Sequence, residues 1–418
     1  MLRYLSKAIC GSLIVAHLGA CSKTESLPNA VSNDSLKYSP AQPEITDSDR
    51  AASEARLDAF VNGKYDPLTT PVEWFTPIRK VGSVTTAEMR RASVVPANLQ
   101  DGIEQAKRYA KSQGSLALIV AKDGEIISET YWQDADSDTL FNPQSMSKTL
   151  LALLVGVAID EGDIKSVNDP IKTYLSEFED DPRGNITIKN LLQMSAGLEQ
   201  ITNTYEITPE NRGVRQHFGP DFIGPMLELT VVDPPGAKWE YNNNETQMLA
   251  YVLQRATGVE YASYLSDKLW KPLQLGEASM YLDREGGNVL TSCCILSRPV
   301  DWVKIGQLII DKGRYKDQQI IPASWIEEML TPAETWEGYG YQVWIGDRFI
   351  SDERPENDNK NFVWASTPHI NQNIIYLSGY GFQRVWIVPS ENLVIMRASK
   401  TWPKKWDESL IPNAIVSF

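Results

Sequence analysis

Histidine is scarce in this chain of 418 residues, which contains three, and cysteine is nearly as scarce, with four. Zinc sites and Ser-His-Asp triads both depend on histidine. His217 and His369 stand in no motif typical of a triad, so we interpret them as packing or surface residues. The cysteines do not have the paired spacing of a zinc site either. We therefore expect neither a metal nor another cofactor.

Two of the cysteines, Cys293 and Cys294, are adjacent in the sequence. A disulfide between neighbouring residues departs from the geometry that disulfides prefer. We therefore expect two buried thiols that pack as small apolar groups.

Basic residues are outnumbered by acidic ones, 40 to 54, which gives a formal net charge of −14. Such an acidic chain is a poor partner for the phosphates of nucleic acid, and we exclude nucleic acid as a ligand. The length exceeds that of a usual single domain, so one enlarged domain or two closely packed subdomains are expected. No feature indicates the oligomeric state.

The apolar stretch Ala8 to Leu18 is too short to span a bilayer. It follows two basic residues and precedes Leu18-Gly19-Ala20-Cys21, an order typical of an export signal. These last four residues resemble the bacterial lipobox, which implies cleavage before Cys21 and a lipid anchor on its thiol. Ser22 rather than an aspartate follows this cysteine, which in lipoproteins of similar pattern favours anchoring in the outer membrane. The protein would then face the periplasm of a Gram-negative bacterium. A plain signal peptide is the alternative.

The segments after the signal peptide (1–20) differ in composition. Residues 21–50 are rich in Ser, Pro and Asn and predict a flexible tether, followed by an N-terminal extension over 51–94. Strand patterns occur in 114–132 and again in 339–396, with helical patterns from about 160 to 290 between them. This order predicts an α+β fold, in which strands from both chain ends form an antiparallel sheet flanked by helices, with an inserted helical subdomain.

Ser145 and Lys148 stand at the start of a long apolar segment, Thr149 to Ile159. On a helix, residues three apart share a face, so the Ser145 hydroxyl and the Lys148 amine can come within hydrogen-bond distance. A helix that is apolar all round is buried, and burial favours the neutral amine, which can accept a proton. The alternative is that Ser145 only caps a core helix.

Two later segments complete an ordered set of motifs. Tyr241 and Asn243 precede a predicted helix, where the alternative is a polar helix cap, and Leu377-Ser378-Gly379-Tyr380 ends a predicted strand. Ser-x-x-Lys, Tyr-x-Asn and Ser-Gly in this order resemble the serine β-lactamase and penicillin-binding-protein superfamily. Within it, the chain is most similar to the class C β-lactamase-like branch, which includes esterases, D-alanyl-D-alanine peptidases and 6-aminohexanoate-dimer hydrolases. The similarity covers about 95–400, so we assign 95–418 to a β-lactamase/transpeptidase-like domain.

The resemblance implies a role for each matching residue. Ser145 would be the acylated nucleophile, Lys148 its base, and Tyr241 a second base that relays a proton to the leaving group. The backbone N–H groups of Ser145 and Tyr380 would form the oxyanion hole. The residues that would bind or orient the substrate are Asn243, Ser378, Gly379 and, with looser spacing, Tyr205.

Leu377 departs from the pattern of the family, where a lysine or histidine precedes Ser/Thr-Gly and helps to bind a substrate carboxylate. Its presence favours a small ester or a linear amide as the substrate. A D-Ala-D-Ala peptidase or a weak β-lactamase is the second hypothesis. A non-catalytic binding protein on the same fold is the third.

Overall fold

The computed structural model describes residues 38, 42–64, 66, 68, 76–82, 86–201, 208, 210–346, 350–351, 363–403 and 406–416. The helices are α1 (Asp47–Val61), α2 (Ala97–Ser112), α3 (Ser147–Asp160), α4 (Ile188–Leu192), α5 (Arg212–Phe218), α6 (Gly224–Leu227), α7 (Asn243–Thr257), α8 (Tyr261–Leu265), α9 (Pro299–Ile310), α10 (Ala323–Met329) and α11 (Leu410–Val416). The strands are β1 (Ile78–Val81), β2 (Ser115–Lys122), β3 (Glu125–Tyr131), β4 (Ala278–Tyr281), β5 (Ile295–Leu296), β6 (Arg314–Tyr315), β7 (Gln318–Gln319), β8 (Trp344–Ile345), β9 (Ile350–Ser351), β10 (Val363–Trp364), β11 (Ile375–Gly379), β12 (Gln383–Val388) and β13 (Leu393–Ser399).

A six-stranded sheet in the order β3-β2-β13-β12-β11-β8 forms the centre of the fold. Every neighbouring pair in it is antiparallel. Strands β2 and β3 precede the helical middle of the chain and the other four follow it, so the last long strand pairs with the first. The predicted α+β fold with an antiparallel sheet from both chain ends is confirmed.

Both faces of the central sheet are buried. Alternate residues of its strands point to opposite sides, and each side packs into a different hydrophobic core. In β12, Val385 and Ile387 join the core that contains α3 and α9, whereas Trp386 and Val388 join the core under α2 and α11. Helices therefore cover the sheet on both sides. Helix α3 is buried along nearly its whole length, as its uniformly apolar sequence predicted.

Five helices, α4 to α8, occupy the described chain between α3 and β4, and all of them except α7 are short. The longest of the helices after α3 and before β4 is α7, which ends at Gly258 in the left-handed conformation that favours glycine at a helix end. The strand predicted over 339–345 is reduced to Trp344–Ile345. The reason is Gln342, which has a φ of 53° and a buried side chain that donates to the carbonyls of Leu191 and Leu192.

The N-terminal part of the described chain packs on the body of the protein. Helix α1 begins at Asp47 with a capping box between Thr46 and Asp49, so the last four residues of the predicted tether are helical. Phe60 of α1 lies 4.9 Å from Phe218 of α5, between ring centroids. Strand β1 pairs with β4 in a second, three-stranded sheet. The predicted signal peptide and Cys21 lie outside the described residues.

The expectation of two free thiols is wrong, because a disulfide joins Cys293 to Cys294. Cys294 has a φ of 78°, and this turn in the backbone brings the two neighbouring side chains to the same side. Both residues are buried. In the part of the chain that the structure describes, no helix has the length and apolar character needed to cross a membrane.

Gly156, in the middle of α3, allows us to weigh helix propensity against packing. A Cβ built there would lie 2.2 Å from the Trp325 ring, whose Nε1 donates to the Ala152 carbonyl. Alanine favours a helix by about 1 kcal/mol over glycine, whereas overpacking a core costs about 1–3 kcal/mol. We expect Gly156→Ala to lower the Tm despite the better propensity.

Thermal unfolding followed by circular dichroism measures this effect. Trp325→Leu alone should destabilise the protein. In the Gly156→Ala background, however, the smaller leucine should relieve the clash with the new Cβ and restore part of the Tm that Gly156→Ala lost. A rise in Tm for Gly156→Ala would contradict the packing argument.

Candidate active site

Ser145 lies in a 3₁₀ turn, Gln144–Met146, that leads directly into α3. Gln144 has a φ of 56°, and its backbone N–H donates to Asn142 Oδ1 at 3.0 Å. A left-handed residue other than glycine is uncommon and is found where the surrounding structure enforces it. Ser145 itself is half-buried, in contrast to the residues on either side of it, which are buried.

Lys148 lies one turn further along, and its Nζ donates to Ser145 Oγ at 2.9 Å. The residue is 1% exposed. Its Nζ also donates to the carbonyl of Ser292 at 2.7 Å. Both acceptors are uncharged, so the ammonium form gains no ion-pair energy from them. The structure thus brings the two residues of the Ser-x-x-Lys motif together, in the buried setting that the apolar helix predicted.

Tyr241 lies over the same lysine. Lys148 Nζ is 5.0 Å from the centroid of the Tyr241 ring, and Gln200 Nε2 donates to the Tyr241 carbonyl at 2.7 Å. The helix cap here is Asn242, whose side chain accepts from the Asn244 N–H at 3.0 Å. The alternative interpretation of Tyr241 and Asn243 as cap residues is therefore wrong, because the intervening residue caps α7.

Asn243 is the first residue of α7. Its Oδ1 atom is buried, and it has no hydrogen-bond partner among the described residues. Buried polar atoms are nearly always hydrogen-bonded, so this unpaired acceptor, two residues after Tyr241 in the chain, is unusual.

Other aromatic rings pack against Tyr241. We name this group the aromatic wall, and its members are Trp239, Tyr241, Trp336, Tyr339 and Trp344. Tyr241 stacks on Trp344 at 5.7 Å, and Trp239 lies 4.3 Å from Trp336, both between centroids. All of the members except Tyr339 are partly exposed. Sequence reasoning did not find this wall, because its members come from two distant segments.

Strand β11 brings its end against the turn that carries Ser145. A Cβ at Gly379 would lie 2.1 Å from the Pro143 carbonyl oxygen, so no other residue fits there without moving the backbone. Tyr380 follows this glycine directly. Ser378 Oγ accepts a hydrogen bond from Arg384 Nη1 at 2.7 Å. Leu377 is 1% exposed and belongs to the core, so the motif offers no cation at that position.

Glu245 of α7 is a buried carboxyl that the sequence motifs did not single out. It is 1% exposed and accepts a hydrogen bond from the Ala196 N–H at 3.2 Å. Burial raises its pKa well above the usual value. Burial, together with the electrostatic influence of Tyr241 and Glu245, raises the pKa of the Tyr339 phenol in the aromatic wall. A buried carboxyl with a raised pKa therefore lies near the aromatic wall.

Three residues named in the sequence analysis are not part of the site described above. Tyr205 lies outside the described residues. His217 is in α5 with its ring 4.9 Å from Phe218, and burial lowers its pKa to about 4. His369 is buried in the segment before β11. Across the described ranges, no cluster of three His, Cys, Asp or Glu side chains could hold a metal ion.

Comparison with known proteins identifies the family of this chain. The family described as "Beta-lactamase" matches residues 101–416. The chain is 24% identical over 374 residues to the 6-aminohexanoate-dimer hydrolase of Paenarthrobacter ureafaciens, covering 84% of this chain and 90% of that protein.

Solved structures share the fold. One from Bacillus anthracis, provisionally named a 6-aminohexanoate-dimer hydrolase, has a TM-score of 0.69 at 20% identity and covers 89% of this chain and 97% of its own. EstCE1, described as a hydrolase with promiscuous acyltransferase activity, has a TM-score of 0.56 at 16% identity, covering 76% of this chain and 96% of its own. At these identities the likeness shows the fold alone, and it confirms the fold predicted from the motifs.

The raised pKa of Glu245 predicts a pH-dependent stability. A carboxyl whose pKa is higher in the folded than in the unfolded state contributes stability that is complete below the unfolded pKa, about 4.3, and is lost as pH rises. Glutamine is neutral at every pH and retains an oxygen for the Ala196 N–H. We expect the Tm of Glu245→Gln to equal that of wild type near pH 4 and to exceed it increasingly toward pH 8.

Thermal unfolding at several pH values checks this prediction. A matched control is Glu260→Gln, which alters the carboxylate that caps α8 through the Ala262 and Ser263 N–H groups. That variant should lose stability at neutral pH. If Glu245→Gln were less stable than wild type at pH 8, the buried carboxyl would have to be charged.

Proposed function

Because the chain belongs to the β-lactamase family of serine hydrolases, we propose that it hydrolyses small neutral esters or linear amides through an acyl-enzyme on Ser145. The observation that carries the proposal is the 2.9 Å contact between Lys148 Nζ and Ser145 Oγ, with Nζ buried under the Tyr241 ring. A base beside a half-exposed hydroxyl is the arrangement that an activated nucleophile needs.

The first half-reaction forms the acyl-enzyme. Neutral Lys148 takes the proton of the Ser145 hydroxyl while Oγ bonds to the carbonyl carbon of the substrate. The backbone N–H groups of Ser145 and Tyr380 stabilise the resulting oxyanion. The bond to the leaving group then breaks, and the alcohol or amine takes up the lysine proton through the Tyr241 hydroxyl.

In the second half-reaction, water replaces the leaving group. Tyr241 and Lys148 accept a proton from the water as its oxygen attacks the acyl carbon, and this proton returns to Ser145 Oγ when the ester bond breaks. The acid is released and the site regains its starting protonation state. No metal or cofactor enters either step.

The surroundings of Ser145 favour a neutral substrate. Leu377, a core residue, stands where the family pattern has a cation that helps to bind a substrate carboxylate. Arg384 on the neighbouring strand does not replace that cation, because it is already paired with Glu408 at 2.7 Å. The aromatic wall offers apolar ring surface beside Tyr241, where the leaving group departs. Asn243 Oδ1 adds an acceptor for an amide N–H. The similarity to a 6-aminohexanoate-dimer hydrolase makes linear 6-aminohexanoate oligomers a reasonable amide substrate to test.

Ser145→Ala should abolish turnover of p-nitrophenyl butyrate and of the 6-aminohexanoate dimer, because it removes the atom that is acylated. A loss of at least about 10³-fold in kcat is expected for a nucleophile. Ser147→Ala is a matched control in the same turn, since Ser147 Oγ is buried and has no hydrogen-bond partner in the described structure. It should keep wild-type kinetics.

Mass spectrometry after incubation with a fluorophosphonate gives the second readout. The mass increase should map to Ser145 in wild type and in Ser147→Ala, and should be absent in Ser145→Ala. Equal turnover by wild type and Ser145→Ala would exclude the proposal. Absence of both turnover and labelling would favour a non-catalytic binding protein.

Because Leu377 provides no cation before Ser378-Gly379, we can predict whether the enzyme prefers a charged or a neutral substrate. A charge-assisted hydrogen bond is worth about 1.5–3 kcal/mol, so an enzyme that binds the carboxylate of benzylpenicillin should prefer it to its methyl ester by roughly 10–100-fold. We expect no such preference here, and kcat/KM for neutral p-nitrophenyl esters should exceed both. The two penicillins differ only by the methyl group that removes the charge, and they serve as each other's control. A tenfold preference for the free acid would instead support the peptidase or β-lactamase hypothesis.

A further inference from the structure

The loop between β11 and β12 carries Tyr380, whose N–H is a proposed oxyanion donor. The strands pair up to Gly379 and Gln383, so three residues, 380–382, form the loop. Gly381 has a φ of 77° and Phe382 a φ of 57°. A left-handed aromatic residue is strained and persists only where its surroundings hold it. Something must therefore hold this loop in place.

Two buried arginines hold the loop from below. Arg397 is fully buried, and its Nη1 donates to the carbonyls of Gly381 at 3.1 Å and Phe382 at 2.7 Å, the two left-handed residues. Arg384 is 2% exposed, and its Nη1 donates to Ser378 Oγ at 2.7 Å, the Gln383 carbonyl at 3.0 Å and the Gly379 carbonyl at 3.4 Å.

The Gly379 carbonyl belongs to the same peptide group as the Tyr380 N–H. A cation that hydrogen-bonds to the oxygen of a peptide group polarises it, which makes its N–H a stronger donor. Arg384 therefore acts on the proposed oxyanion donor through one peptide unit. Since a guanidinium can only donate, the bond to Ser378 Oγ also leaves the Ser378 hydroxyl hydrogen directed elsewhere.

Stability alone does not account for this pair of charges. Glu408 is buried and pairs with Arg384, and it also accepts from the indole N–H groups of Trp386 at 3.1 Å and Trp406 at 2.6 Å. Within the described residues, no salt bridge joins Arg397 to a carboxylate. Two buried cations thus share one buried anion. Such clusters are often less stabilising than apolar residues of similar volume, so we considered a role for these charges besides stability.

We propose that Arg384 and Arg397 are positioning residues for the oxyanion hole. Arg397 fixes the strained loop, and Arg384 fixes and polarises the peptide group that supplies the Tyr380 N–H. This inference rests on the proposed function, because it concerns the same acyl transfer, and it adds two residues that the sequence motifs did not include.

The test compares an oxygen ester with its sulfur analogue. Sulfur accepts hydrogen bonds weakly, so an enzyme with well-placed oxyanion donors turns over a p-nitrophenyl ester much faster than the corresponding thionoester, in which C=S replaces C=O. We expect Arg397→Lys and Arg384→Lys to lower kcat for the ester by roughly tenfold or more with little change in KM, part of the 10²–10³-fold value of one oxyanion donor. The ester-to-thionoester rate ratio should fall with it.

Ser115→Ala is the matched control, because it removes a different partner of the same arginine. Ser115 Oγ accepts from Arg397 Nε at 2.7 Å, away from the loop. This variant should lose some thermal stability and keep the wild-type rate ratio. All rates are expressed per active site titrated with a fluorophosphonate, so that unfolded molecules are not counted as slow enzyme.

Each outcome decides the matter. Active arginine variants with the wild-type rate ratio would overturn the positioning role and leave the proposed function standing. Arginine variants that cannot be titrated at all, even at low temperature, would show that the pair holds the fold and would also overturn it. A wild-type protein that neither turns over esters nor takes the label would overturn the proposed function itself, and the inference with it.

Discussion

The buried amine of Lys148 beside the Ser145 hydroxyl is the interaction on which the proposed chemistry of this protein depends. An amine can be held in the core only if a rigid element carries it there, and α3 does so because it is apolar on every side and packed along nearly its whole length. Ser145 Oγ and the Ser292 carbonyl accept hydrogen bonds from this amine, and neither of them adds a negative charge. The same packing that stabilises the helix thus buries the amine that we propose as the base.

The proposed reaction also needs a place for negative charge to develop, and the end of the central sheet is the candidate. Gly379 allows β11 to touch the turn that carries Ser145, and Tyr380 follows this glycine directly. The loop that follows is held by buried arginine side chains, whose hydrogen bonds end on its carbonyls. The proposed nucleophile and the proposed oxyanion donors therefore belong to two elements that meet at one close contact.

The substrate preference that we propose depends on what surrounds this contact. Leu377 is packed in the core, and aromatic rings pack against Tyr241. The neutral, partly apolar substrate that we propose fits both features. The two segments of the aromatic wall, around Trp239 and Trp336 to Trp344, are nearly a hundred residues apart in the chain.

The sequence by itself determined the features that are local or periodic. The spacing of Ser145 and Lys148, the apolar runs that form β12 and β13, and the uniformly apolar α3 each follow from a few consecutive residues, and these features together with the ordered motifs predicted the fold and the pairing of Ser145 with Lys148. Only the tertiary structure decided the rest. Asn242 rather than its neighbours caps α7, Gln342 interrupts a predicted strand, and the disulfide of Cys293 and Cys294 forms, because each outcome depends on contacts or backbone turns that local patterns do not encode. The same reason applies to Glu245, the aromatic wall and the arginines under the oxyanion loop: burial and charge pairing between distant segments are properties of the folded chain.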